Sequence, residues 1–197
     1  MDNNELLEMA WSAAPSWTSE AERNELIRLA REVPEHGSIV EIGGLYGGMT
    51  AVLGLANPGA RITVIDEFSW DPYNMGASAK TLLSNVRKVG VTNVEVITAD
   101  SRRAGKTWDQ PIDLLWIDGG HSYEFVKSDL DKFGPHAARI ALHDYGNEFW
   151  KTIQQAVDDF LKEHREWSFS HHVETVAVLD PTPSPSPKSA ILERGVG

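Results

Sequence analysis

Five short apolar runs, each with an acid at or near its end, constrain this chain more than any other feature. They are Ser38–Gly43, Arg61–Asp66, Val94–Asp100, Asp113–Asp118 and Ala138–His143. Isoleucine, valine and leucine dominate them, and their length suits strands rather than helices, so each reads as a buried strand. Between them the spacing is helical. Leu26, Leu29, Ala30 and Val33 recur at i, i+3, i+4 and i+7, behind a Ser19/Glu22 capping box. Ala79, Leu82, Leu83 and Val86 repeat that spacing before Gly90, and Val126, Leu130 and Phe133 do so before Gly134-Pro135. Trp150, Ile153, Val157, Phe160 and Leu161 mark a longer helix. Strands alternating with helices predict a parallel sheet covered on both faces. The last two strands, Trp167–His172 and Thr175–Asp180, stand close enough for an antiparallel hairpin at the sheet edge.

Ligands of open α/β sheets bind beyond the carboxyl ends of the strands, where the strand order switches. The acids Glu41, Asp66, Asp100, Asp118 and Asp144 all fall there. Some can serve as plain caps, but five at equivalent ends point to one polar site. The first junction, Glu41-Ile-Gly43-Gly-Leu45-Tyr46-Gly47-Gly48, lets the backbone turn tightly at Gly43 and Gly47 and approach a ligand. A nicotinamide fingerprint needs glycine at position 45, and Leu45 weakens that reading. Asp66 is placed to accept hydrogen bonds from a ribose diol, and Asp100-Ser101 to meet an adenine edge.

Two further junctions carry reaction chemistry. In Trp116-Ile-Asp118-Gly-Gly-His121-Ser122-Tyr123, a strand ends in an acid, two glycines free the chain, and His121 precedes a helix capped by Ser122. His143-Asp144-Tyr145 closes the next strand. Adjacent parallel strands lie about 5 Å apart, so their tips can hold one cation between them. Two neighbouring buried acids repel each other, and a cation keeps both ionised; the alternative is paired capping or a salt bridge. For His121 the alternative is a loop residue bonded to its own helix start. Trp70, Tyr73 and Trp150 suit either an acceptor pocket or core packing, and His171-His172 reads as structural.

Charge and composition narrow the partners. The 197 residues carry a formal net charge of −11, which disfavours nucleic acid and suits a small acceptor. Cysteine is absent, so thiolate metal sites and disulfides are excluded. No apolar run is long enough to cross a bilayer, and the acidic N-terminus lacks a signal peptide's basic start, so a cytoplasmic location is expected. The domain is expected to span 1–180, followed by a flexible Pro/Ser-rich tail at 181–197.

On Glu41-Ile-Gly43 through Gly47-Gly48, Ile117-Asp118-Gly119-Gly120-His121-Ser-Tyr123, and His143-Asp144-Tyr145, the chain resembles the small class I methyltransferases related to macrocin-type sugar O-methyltransferases. The resemblance covers roughly residues 17–180. It implies a Rossmann-like three-layer αβα sandwich, its seven-stranded, mostly parallel sheet having one antiparallel strand at the edge. It implies S-adenosylmethionine over the first loop, contacted by Glu41, Gly43, Tyr46, Gly47, Asp66, Asp100, Ser101 and Asp118. It further implies a divalent cation, magnesium by preference, on Asp118 and Asp144, with His143 at a position that is acidic in some relatives. His121 matches the family's general base. About 16 residues precede the region of resemblance, which implies that the extra N-terminal helices of some members are missing.

The expected reaction is methylation of a sugar or phenol hydroxyl. Rivals are a metal-independent N-methyltransferase of the same fold, an idle S-adenosylmethionine-binding protein, and a nicotinamide dehydrogenase. The oligomeric state stays open between monomer and homodimer.

Overall fold

Helix and strand alternate along residues 1–183, the part of the chain that the computed structural model describes. The elements are α1 (Asn3–Ala13), α2 (Glu20–Glu32), β1 (Ser38–Ile42), α3 (Gly48–Ala56), β2 (Arg61–Asp66), α4 (Ala79–Lys88), β3 (Val94–Thr98), α5 (Ser101–Ala104), β4 (Leu114–Ile117), α6 (Tyr123–Phe133), β5 (Ile140–Leu142), α7 (Lys151–Glu163), β6 (Trp167–Val173) and β7 (Val176–Pro181). Seven strands form one sheet in the order β3-β2-β1-β4-β5-β7-β6. The first five run parallel, and β7 pairs antiparallel with both β5 and β6. The expected tail, 181–197, lies almost wholly outside the described residues.

Period-two alternation sorts the strand side chains into two cores. Ile39, Ile62, Val64, Leu114 and Trp116 face the layer built from α1 to α4, where Leu26, Leu53 and Leu82 are buried. Val40, Ile42, Ile65, Leu115 and Ile117 face α6 and α7, against Leu130, Phe133, Val157 and Phe160. Glu41 shares the face of Ile39, so the alternation that builds the core also aims this acid at α3.

One element went unread in the sequence, and two expectations need correction. The N-terminal residues form a helix, α1, opened by an Asp2/Glu5 capping box and burying Leu6, Ala10 and Ala13. The strand at Val94–Thr98 is not buried: β3 is an edge strand with much of its surface in water. Ser122 stands at the N-cap of α6, but its hydroxyl bonds the Glu124 carboxylate instead of a backbone amide.

The tight β6–β7 turn lacks glycine or asparagine, yet Glu174 adopts φ +50° there. An outside group pins it: both the amide and the hydroxyl of Thr175 donate to Glu22 of α2.

Candidate active site

Register brings the strand tips level. Ile42 pairs with Ile65 and with Ile117, and Ile117 pairs with Leu142. The residues just beyond, Gly43, Asp66, Asp118 and His143, therefore stand side by side along one rim. The order switches between β1 and β4, and a cavity of about 750 Å³ opens above that switch. Glu41, Gly43, Asp66, Asp100, Ser101, Asp118, His121, His143 and Asp144 all line it, so residues up to 103 positions apart converge.

The first loop is built for close approach. Gly43 has φ +92°, and a Cβ there would lie 2.1 Å from the Asp118 carbonyl oxygen. Gly47, at φ +94°, is the N-cap of α3. Glu41 is fully buried; Thr50 donates to its Oε2 at 2.6 Å, while Oε1 has no partner. Burial pushes the Glu41 carboxyl up to about 8, with the charges of Asp118 and Asp66 adding to the effect. An orphaned acid oxygen in a cavity wall fits a cationic ligand group such as an ammonium. Asp66 accepts the amides of Leu45 and Phe68, each at 2.7 Å. It thereby ties the glycine loop to β2 while bordering the cavity.

Other expected contacts are already engaged within the protein. The Tyr46 hydroxyl donates to Asp71 and accepts the Tyr73 amide, so its polar end organises the loop after β2. Tyr46 also lines the cavity. Asp100 forms a two-pronged pair with Arg102, which holds its carboxyl below the usual range. Asp100 and Ser101 still border the cavity. Phe125, which the sequence reading overlooked, does so too, and its ring packs on Gly120.

On the other side of the rim the acids meet two imidazoles. His121 Nε2 lies 3.0 Å from Asp144 Oδ2, and the ring stacks on Trp150 at 4.8 Å. His143 Nδ1 lies 3.2 Å from Asp118 Oδ1 and 3.5 Å from Asp144 Oδ2. Its Nε2 is 3.4 Å from Glu22 Oε2. Asp144 takes φ +60°, a left-handed conformation that aspartate tolerates, and Asn147 donates to its Oδ1 at 2.7 Å. His143 is pushed up to about 12; burial opposes the charge, but bonds to Asp118, Asp144 and Glu22 outweigh it.

Ligand atoms of Asp118, His143 and Asp144 lie within 4.8 Å of one another. Two carboxylates and one imidazole form a donor set that fits a divalent cation. A second grouping, Asp131, Glu163 and His164, already has a cation, because Lys127 Nζ bonds Asp131 and Glu163.

Aromatic rings frame the mouth. Trp17 stacks on Tyr73 at 4.9 Å and leans on Trp70 at 5.5 Å. Trp17, Trp70 and Trp150 border the cavity and are about half exposed, at 50%, 58% and 43%. Of the three aromatics weighed in the sequence, Trp70 and Trp150 therefore border the cavity instead of packing in the core, Tyr73 does not border it, and Trp17 joins them without having been singled out. Among the described residues, no lysine or arginine lines the cavity.

A seven-stranded sheet of this order, with its acidic rim and glycine loop at the switch point, defines a class I S-adenosylmethionine-dependent methyltransferase. A family model described as a methyltransferase domain matches residues 40–145, and the chain belongs to that family. Among solved structures, the chain is similar to the O-methyltransferase NovP, at TM-score 0.69 and 16% identity over 90% of this chain and 88% of that one. It is similar to the S-adenosylhomocysteine-bound methyltransferase PaMTH1 of Podospora anserina, at TM-score 0.64 and 19% identity over 92% and 88% of the two chains. Cofactor-bound Rv0187 from MTB matches at TM-score 0.65 and 18% identity over 90% and 88%. At these identities the likeness is one of fold. No curated protein matches the chain.

Proposed function

We propose that this enzyme methylates the hydroxyl of a small, uncharged sugar or phenol with the help of a divalent cation. The observation that carries the reading is the convergence of Asp118, His121, His143 and Asp144 on one wall of the cavity that Glu41 and Asp66 border.

S-adenosylmethionine, when bound, would supply an electrophilic sulfonium methyl for transfer to the acceptor oxygen, with S-adenosylhomocysteine as the leaving group. Glu41 receives the donor's ammonium on its orphaned oxygen, and Asp66 receives the ribose hydroxyls. Gly43 lets the loop lie close, while Gly47, expected at the cofactor, packs against Leu82 and Val86 outside the cavity lining; Asp100, Ser101 and Tyr46 border the space around the cofactor. Asp118, Asp144 and His143 would hold a divalent cation, which would supply a Lewis acid to lower the pKa of the hydroxyl. His121, steadied by Asp144 through Nε2 and by the Trp150 ring, takes the proton at Nδ1, a role worth roughly 10²–10⁴ in rate. The tryptophans at the mouth hold a ring-shaped acceptor.

Among the described residues, no helix is long and apolar enough to cross a membrane. We propose a cytoplasmic location, with which the cysteine-free composition is in keeping. The domain is taken as 1–180 and the remainder as a tail.

Chelation and one substitution test the reading. Treatment with EDTA is expected to abolish turnover, and adding back a divalent cation to restore it; full turnover after chelation removes the cation and favours the N-methyltransferase rival. His121→Ala is expected to keep S-adenosylmethionine affinity within about twofold while kcat falls by roughly 10²–10⁴. Normal turnover by that variant rejects the base.

A further inference from the structure

Glu22 is the one carboxylate of this cluster that does not come from a strand tip. It sits at the third position of α2, and its burial and bonding exceed what a helix cap requires. Oε1 accepts from the Thr175 amide at 3.0 Å and the Thr175 hydroxyl at 2.5 Å. Oε2 accepts from the Ser19 amide at 2.8 Å and faces His143 Nε2 at 3.4 Å. Three protein donors thus fix the carboxylate, and the carboxylate fixes one edge of the imidazole. With the Nε2 hydrogen directed at Glu22, Nδ1 is the nitrogen that would give up its proton to an arriving cation and coordinate it. That nitrogen is the one turned toward Asp118 and Asp144. Histidines that bind metals are commonly oriented in this way, by a carboxylate behind the other ring nitrogen.

We propose that Glu22 is the positioning residue that presents His143 Nδ1 as a ligand beside Asp118 and Asp144, so that the site takes a nitrogen-accepting transition metal such as Co²⁺ in preference to Mg²⁺. The proposal rests on the cation reading above. An imidazole among the donors disfavours magnesium, which prefers oxygen ligands, and favours later first-row ions. It also makes α2 part of the catalytic site, although that helix lies on the far side of the first loop in sequence.

Calorimetric titration of the metal-stripped full chain with CoCl₂ and MgCl₂ tests this without any methyl acceptor. Wild type is expected to bind Co²⁺ at least tenfold more tightly than Mg²⁺. Glu22→Gln is expected to weaken Co²⁺ by about 10–100-fold and leave S-adenosylhomocysteine affinity within about twofold. His143→Asp is expected to collapse the Co²⁺/Mg²⁺ ratio. If Glu22→Gln does not fold, Thr175→Val, which loosens only the Oε1 anchor, is expected to weaken Co²⁺ several-fold. Undiminished Co²⁺ affinity in the folded Glu22 or Thr175 variant, or an unchanged ratio in His143→Asp, overturns this proposal and leaves the general cation reading standing. A wild-type chain that binds neither ion overturns both.

Discussion

Glu41 is held where a negative charge is poorly solvated, and its role follows from that. Its carboxyl lies near 8 because burial disfavours the ionised form and Asp118 and Asp66 repel it. An ammonium arriving at Oε1 reverses the balance, so binding S-adenosylmethionine should release a proton from this residue. The sign follows from linkage: the free enzyme holds the proton below about 8 and the complex does not. Affinity should therefore rise as pH increases from 6 to 8, by up to roughly tenfold per unit, and level off above. Glu41→Gln should lose that slope and, at pH 8, bind the cofactor about 10–100-fold more weakly, matching the 1.5–3 kcal/mol of a charge-assisted hydrogen bond. Calorimetry at pH 6, 7 and 8 measures both effects. Parallel profiles for the two proteins would remove Glu41 from the ammonium site. At Gly43 the argument is steric: no side chain fits between β1 and the Asp118 carbonyl.

Elements that declare themselves by short-range pattern were legible in the sequence, and contacts made across elements were not. β1 and β2 stand where their apolar runs end, and α2 opens on its capping box. The glycine loop and the acids at the strand tips were equally readable, because local backbone needs and the switch-point rule place them. β3 read as buried because Val94, Val96 and Ile97 look like core residues; only the strand order reveals that β3 is an edge. α1 went unread because its apolar face is thin, just Leu6, Ala10 and Ala13. Glu22 was legible as a cap, but its reach to His143, 121 positions away, exists only in three dimensions. Asp129 of α6 is a similar case, sitting one position before the core residue Leu130 and completely buried. Burial pushes its carboxyl up to about 7. With the folded value raised, its contribution to stability is full below the ordinary carboxylate range and is lost as pH climbs through 7. Asp129→Asn cannot ionise, so its melting temperature should gain on wild type between pH 5 and pH 8. The gain should be on the order of 2–4 kcal/mol, or roughly 5–10 °C for a chain of this size. A melting difference that stays constant across those pH values would show that Asp129 ionises without penalty.

Over the whole molecule, charge decides which acceptors can approach. The net charge of −11 sets a repulsive field, and the cavity intensifies it. Among the described residues, six acids line the cavity, Glu41, Asp66, Glu67, Asp100, Asp118 and Asp144, against two histidines and no lysine or arginine. A phosphate or carboxylate on the acceptor would enter that space without a fixed partner, while the flat faces of Trp17, Trp70 and Trp150 remain available to any uncharged ring. Matched acceptors separate the two influences. A phenol bearing a methyl ester should be methylated with kcat/KM at least tenfold above that of its free carboxylate. Because the discrimination arises partly from a field that reaches into solvent, raising salt from 50 to 500 mM should narrow the gap, as the Debye length shrinks to a few ångströms. A short RNA should show no binding by fluorescence anisotropy even at 50 mM salt, where phosphate contacts are strongest. Equal turnover of ester and acid at low salt would mean that the acids are neutralised by their bound partners and that shape alone selects the acceptor. Preference for the ester, eroded by salt, would make the acidic rim a filter on substrates as well as the seat of the cofactor.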